Sequence, residues 1–416
     1  MTLRSTVIGI SALLTGAGAL HMGMSLQGTL VGVRAGIENF PAILIGLIMS
    51  GYYAGFVAGS VYAPKIVNKV GHIRTFSAFA SLASAAALCH SVFVDPVSWL
   101  VFRALAGFCF AVLSLVTESW LNERSSNLNR GTVLAVYFMV VLMSAALGQI
   151  FLIFASPAGY DLFILISVII SIALVPIALT SMPTPAVSEP HRMSLAKLYK
   201  TSPVGVVGCC GAGLVSGSYG ALGAVFAQAK GLATTEIAIF MFLLVAGGAV
   251  AQWPLGRLSD RMDRRYVLVG LTITATILGV AVWVDVLQGI LWLYTFGALM
   301  GAMLLSMYGV AIAHANDFLE PHEFVPASAS LLLIYGLGAI LGPIIAAAIM
   351  GWIGPNGLFI YLAVFSGIVA LFTIYRMTQR SVVPSDDSTD FVLAQGISPV
   401  AFELDPRAEA DDEASA

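Results

Sequence analysis

Charge is the first thing this chain has little of. Asp, Glu, Lys and Arg make up 10% of its 416 residues, against 59% hydrophobic ones, whereas a soluble domain carries about 25% charged side chains. Water is thereby excluded as the main solvent. Cysteine is scarce as well: Cys89, Cys109, Cys209 and Cys210 each sit in an apolar run, where a thiol packs as a small apolar group. They have no His or carboxylate companions at ligand spacing, so a metal centre is not expected. There is no Gly-rich phosphate loop ending in Lys-Ser or Lys-Thr, which removes that route to ATP. No set of nucleophile, base and oxyanion donor stands out, so the chain is not read as an enzyme, and neither a cofactor nor a nucleic-acid partner is expected.

What the chain has in abundance is long hydrophobic runs. Twelve are expected to cross a bilayer as helices, at about 7–31, 42–63, 75–94, 97–120, 132–155, 160–181, 204–228, 235–255, 266–285, 288–312, 327–351 and 356–377. A helix satisfies its backbone hydrogen bonds internally where lipid offers none. The first run has a short basic start and no small-residue cleavage site, and is read as an uncleaved signal anchor.

Lys and Arg set the orientation, because cytoplasmic loops retain positive charge. With the N-terminus inside, sixteen of the 19 basic residues fall in the cytoplasm, Arg34 and Lys230 fall outside, and Arg103 lies within a span. Both termini are therefore expected inside a bacterial inner (plasma) membrane. The expected organisation is a six-helix half over 1–181, a cytoplasmic linker over 182–203, a second six-helix half over 204–377 and a tail over 378–416. Residues 381–416 carry nine acids and one base, a composition that does not fold alone. An apolar patch at Phe391, Val392 and Leu393 offers either a docking point or part of a solvated tail.

The loops after the second and eighth spans repeat in chemistry. Pro64 to Arg74 contains Asn68, Lys69, Gly71, His72 and Arg74; Gly256 to Arg265 contains Asp260, Arg261, Arg264 and Arg265. Asn68 and Asp260 align at an offset of 192 residues, close to half the membrane part, and internal repeats of this size mark transporters with a central site. The second loop resembles the Gly-x-x-x-Asp-Arg-x-Gly-Arg-Lys/Arg hallmark of the major facilitator superfamily, with Asp263 in place of its second glycine. The first keeps Gly71 alone. Arg103 followed by Gly107 in the fourth span is similar to a second signal of that family. Val70-Gly71-His72-Ile73-Arg74 and Glu118-Ser119-Trp120-Leu121-Asn122 are similar to YcaD-like bacterial permeases. Gly338-x-x-x-Gly342-Pro343 in the eleventh span resembles an antiporter motif that belongs to the fifth, where this chain has Gly148-Gln149.

The resemblance implies an all-α fold of twelve transmembrane helices in two pseudo-symmetric halves, with the first, fourth, seventh and tenth lining a cavity. It favours His21, Arg103, Tyr219 and Tyr308 as pathway residues. Intramembrane polar residues are costly and often functional. Arg103 and Glu118 share one stripe of the fourth helix, each either lining the cavity or anchoring at an interface. His21 either carries a coupling proton or packs through a hydrogen bond. Gln27, Gln149, Gln252, Tyr219 and Tyr308 each either orient a solute or bond across helices. Asn68, Gly71, Arg74, Gly256, Asp260, Arg261, Arg264 and Arg265 form a gating latch or merely fix topology. The function expected is secondary transport of a small organic solute by alternating access, coupled to protons. The alternatives are an uncoupled facilitator and a sensor or scaffold working through the acidic tail.

Overall fold

The computed structural model describes residues 3–125, 129–179, 192–285, 289–379 and 391. Among them no strand occurs, and the helices are α1 (Leu3–Ile37), α2 (Ala42–Val70), α3 (His72–Val92), α4 (Pro96–Glu123), α5 (Arg130–Ile150), α6 (Asp161–Ala178), α7 (Leu195–Thr201), α8 (Pro203–Ala229), α9 (Thr234–Arg261), α10 (Arg264–Trp283), α11 (Ile290–Asn316), α12 (Phe324–Ile353) and α13 (Gly357–Met377). All but α7, a short helix in the linker, coincide with the twelve expected spans. Among the described residues ten helices are long and apolar enough to cross a membrane. Of the other two, α6 is shorter and α1 runs for 35 residues.

The helices start where local chemistry supplies caps. Asp95 accepts from the backbone N–H groups of Val97 and Ser98, with Pro96 leading α4, and hydrogen bonds from the Ser98 hydroxyl and then its backbone N–H hold the carboxyl below the usual range. Ser202 before Pro203 does the same for α8. Such caps satisfy amides that the first helical turn leaves unpaired. The loop motifs are themselves largely helical: α2 runs on through Pro64 to Val70 before Gly71 breaks it at φ 90°, and α9 runs on to Arg261. The expected second and eighth loops are thus shorter than the apolar runs suggested, because polar residues extend a helix once it leaves lipid.

The outer faces remain apolar. Val101, Met139, Ile172, Val250, Leu291 and Leu371 are all exposed, as a lipid-facing belt requires. Inside, the contact pattern occurs twice. In the first six helices α1 packs on α5 and α6, α2 on α4, and α3 on α4 and α6; in the second six α8 packs on α12 and α13, α9 on α11, and α10 on α11 and α13.

Glycine makes the repeat exact at its tightest crossings. A Cβ on Gly55 would fall 1.8 Å from the Ala104 carbonyl oxygen, and one on Gly107 would fall 1.9 Å from that of Tyr52. In the second six the same pair of approaches joins Gly247 to Ala298 at 2.2 Å and Gly301 to Leu244 at 2.0 Å. Gly247 follows Gly55 by the 192-residue offset seen in the sequence. Each half is locked by two backbones that touch where no side chain fits, the packing that small residues allow between membrane helices. Gly148 against Met22 and Gly342 against Leu214, both at 2.4 Å from the facing carbonyl oxygen, show that the eleventh-span glycine is the repeat partner of the fifth-span one.

Candidate functional site

The two sixes meet along α1 and α8, α2 and α12, and α5 and α9. At the end away from the basic loops this seam is tight: Gly46 lies under Pro343 and Ala347, and Gly32 lies under Ala221 and Val225. Deeper in the bundle a cavity of about 210 Å³ opens between the halves. It is drawn from α1 (His21, Met24), α2 (Tyr52, Tyr53, Phe56, Val57, Ser60), α4 (Ser114), α5 (Val141, Leu142, Ala145) and α12 (Leu332, Leu333, Tyr335, Gly336). An apolar wall with a few converging polar groups is the usual form of a small-molecule site.

His21 is the imidazole on this wall, beside the phenols of Tyr52, Tyr53 and Tyr335. Its Nδ1 lies 2.9 Å from the Ala17 carbonyl oxygen, one turn back on α1. A carbonyl only accepts, so Nδ1 carries the hydrogen and Nε2 is left as the basic nitrogen. Tyr53 crosses the seam, its hydroxyl donating to the Gly217 carbonyl of α8 at 3.3 Å. Tyr52 donates to the Met24 sulfur at 2.8 Å, a weak acceptor.

The other expected pathway residues fall in three places. Glu118 is fully buried one turn from Ser114 and accepts from the Tyr137 hydroxyl at 2.9 Å. Arg103 is buried beneath the Tyr52 ring, its guanidinium carbon 4.7 Å from the ring centroid. Tyr308 packs against the cavity residue Tyr335, the ring centroids 4.8 Å apart and the planes tilted by 55°. Gln149 takes a structural position: its Oε1 accepts from Thr29 at 2.5 Å and its Nε2 donates to Ser25 Oγ at 2.5 Å, tying α5 to α1. Gln252 is buried on α9, outside the cavity wall. Tyr219 is also off the wall: its hydroxyl donates to the Gly297 carbonyl at 3.2 Å and its ring packs against Phe240 and Phe359. The cavity therefore draws on the first, second, fourth, fifth and eleventh spans rather than the first, fourth, seventh and tenth.

The basic-loop end carries a separate constellation. Arg264 is buried and reaches Asp317 at 2.8 Å, Ser259 at 3.1 Å and Asp260 at 3.5 Å, fastening α9 and α10 to the end of α11. Arg265 pairs with Asp263 at 2.8 Å, which in turn caps α10. Arg261 is exposed. In the first six, at Arg264's place in the repeat, the uncharged pair His72 and Ser119 stands at 3.0 Å. Gly71 is the break between α2 and α3, Asn68 lies on the last turn of α2 and Arg74 on the first turn of α3.

Phe391 of the tail also lies at this end. Its backbone N–H donates to Asp260 at 2.7 Å, and its ring covers Gly256, where a Cβ would fall 2.4 Å from the ring. Apart from Thr378 and Gln379, the rest of the expected acidic tail lies outside the described residues. Phe391→Ser is expected to speed amide hydrogen exchange across 256–265 without changing it in α4. Equal exchange in the two proteins would show that the ring does not cover this segment.

The duplicated six-helix fold has counterparts among known proteins. The Major Facilitator Superfamily model matches residues 13–246 and 204–395. The chain is 30% identical over 329 residues to the MFS-type transporter YcaD of Salmonella typhi, covering 77% of this chain and 83% of that one, and equally so to YcaD of Salmonella newport. Its fold is similar to that of the nucleoside transporter NupG, with a TM-score of 0.75 at 12% identity over 88% of this chain and 99% of that one. It is similar also to a bacterial homolog of the human lysosomal transporter Spinster, with a TM-score of 0.75 at 15% identity over 94% and 99% of the two chains. The sequence match and the twelve-helix repeat together place this chain in the major facilitator superfamily, as a multi-pass membrane transporter protein.

Proposed function

We propose that the chain is a secondary transporter that moves a small organic solute across the bacterial inner membrane by alternating access, coupled to protons through His21. The observation that carries this reading is the seam cavity, walled by both halves and holding a histidine whose free nitrogen is basic. The basic loops belong on the cytoplasmic side by the charge rule, which places both termini inside. The seam is then closed toward the outside, and the solute leaves or arrives from the cytoplasm. The halves correspond to 1–181 and 204–377, joined by the linker over 182–203 and followed by the tail over 378–416. Part of the linker is held in place, as Ser330 donates to the Met193 carbonyl at 2.9 Å and Lys197 pairs with Glu323.

Coupling needs a group that binds a proton in one conformation and releases it in the other. An apolar cavity wall suits a solute with an apolar body, and Ser60, Ser114 and the tyrosines orient its polar end. Proteoliposomes carrying the protein are expected to accumulate a member of a solute panel when a pH gradient is imposed. In His21→Gln, gradient-driven accumulation is lost while solute exchange at equal pH persists. Accumulation by His21→Gln with an unchanged pH dependence would remove the histidine from the coupling step.

A further inference from the structure

We propose that Arg103 and Gln27 form the recognition site for a carboxylate, so that the solute class is the amphipathic monocarboxylic acids. This rests on the transporter reading above. Arg103 is 4% exposed and Gln27 is fully buried. Nε and Nη1 of Arg103, and both side-chain polar atoms of Gln27, have no hydrogen-bond partner among the described residues. Inside lipid such groups are costly, and an unmet buried donor forfeits its hydration without return. The Tyr52 ring face attracts the guanidinium but uses none of its N–H donors for a hydrogen bond.

The repeat shows that the fold itself does not need these groups. Counted from the glycine interlocks, the place of Gln27 is taken in the second six by Tyr219, and that of Arg103 by Gly297. There the two positions are joined: the Tyr219 hydroxyl donates to the Gly297 carbonyl, and Phe240 fills the space beside Gly297. The second half thus closes the same crossing with aromatic rings and one satisfied hydrogen bond. The first half sets an amide and a guanidinium there, one on α1 and one on α4, which are packed together.

A carboxylate matches both. Its two oxygens accept two parallel N–H bonds from a guanidinium fork, and the Gln27 amide adds a third donor. Tyr52 is the door, since its ring covers Arg103 while its side chain forms part of the cavity wall. Its hydroxyl is held by a thioether, a weak acceptor, so a rotation of the ring exchanges that bond and its contacts with Tyr53, Phe56 and Phe110 for a hydroxyl that donates to the arriving anion. The apolar body of the acid remains against Phe56, Val57, Leu142 and Leu332.

The test uses the purified full-length protein in neutral detergent with matched probes: 4-phenylbutyrate and indole-3-propionate, each beside its primary amide. The acids are expected to raise the unfolding temperature with a half-saturating concentration about tenfold or more below that of the amides, the preference a charge-assisted hydrogen-bond pair supplies. Arg103→Gln abolishes the preference, Arg103→Lys keeps part of it, and Gln27→Leu weakens it with the acid still favoured. Amides binding as well as acids, an unchanged preference in Arg103→Gln, or no binding of either acid would each overturn the proposal. Arg103→Lys covers the case in which Arg103→Gln does not fold. Acid binding that persists without any flux in proteoliposomes would sink the transporter reading while leaving the carboxylate site standing.

Discussion

Gly107→Val should leave almost no folded protein. A Cβ at this position would lie 1.9 Å from the Tyr52 carbonyl oxygen, a backbone atom that cannot step aside as a flexible side chain would. Overpacking a close-packed interior costs typically about 1–3 kcal/mol and more when backbones must separate, against a total stability of roughly 5–15 kcal/mol. Separating α2 from α4 also opens Gly55 from Ala104, since both approaches belong to one crossing. Gly301→Val is expected to act equally on the second half, where Leu244 stands in for Tyr52. The controls are Gly28→Ala and Gly270→Ala, positions with nothing within 4 Å of an added Cβ. Yield of monodisperse protein after detergent extraction is the measurement. A Gly107→Val protein recovered and melting like the wild type would show that the crossing is not as tight as described.

The second large effect is expected at Asp317. Removing its carboxylate takes from the buried Arg264, at the junction of α9, α10 and α11, the carboxylate 2.8 Å away, while the Ser259 hydroxyl and the more distant Asp260 stay in place. Breaking one partner of a buried ion pair typically costs about 3–5 kcal/mol, mostly the penalty on the charge left behind. Asp260 at 3.5 Å softens this, so Asp317→Ala is placed near the lower end. The double variant Arg264→Met with Asp317→Leu removes both charges and is expected to regain most of the loss. Melting temperatures of the single and double variants in detergent separate the terms. If the double variant is no more stable than Asp317→Ala, the stranded charge is not the cause.

The same two regions show what a sequence makes visible and what it hides. Apolar runs place the helices because lipid imposes its demand locally, on about 20 consecutive residues at a time. The 192-residue offset is visible because the loop charges repeat, and the interlocks at Gly55 and Gly247 obey it. Partnerships across space leave no such local mark. Arg264 and Asp317 are 53 residues apart, and Asp260 meets Phe391 across 131. Gly256, Asp260 and Arg264 lie within one short stretch of sequence, whereas their partners on α11 and in the tail lie far from it. Cavity residues are the least legible. Tyr52, Tyr53 and Tyr335 escape notice because an aromatic ring in a membrane helix has the same local pattern whether it packs or lines a space. Tyr219 is the converse case, a tyrosine expected on the pathway that instead closes a crossing onto Gly297. Gln27 gives a usable signal, an uncompensated amide deep in an apolar run, but only its missing partners reveal what it asks for.

The glycine crossings have a mechanical consequence. Two backbones in contact cannot slide past one another cheaply, so in the alternating access proposed above each six would move as one lever, with the compliance concentrated at the seam. With about 15 Å from the midplane to either face of a bilayer core about 30 Å thick, a tilt of roughly 10° at the cavity displaces the helix ends by about 2.6 Å. Hydrogen bonds fail over a shorter distance than that. The Tyr53 to Gly217 bond lies near the pivot and the contacts under Gly46 lie toward the lever's end. On that proposal a small change around His21 would be geared into breakage far from it, and the stiffness that makes Gly107 intolerant of a side chain would transmit the stroke.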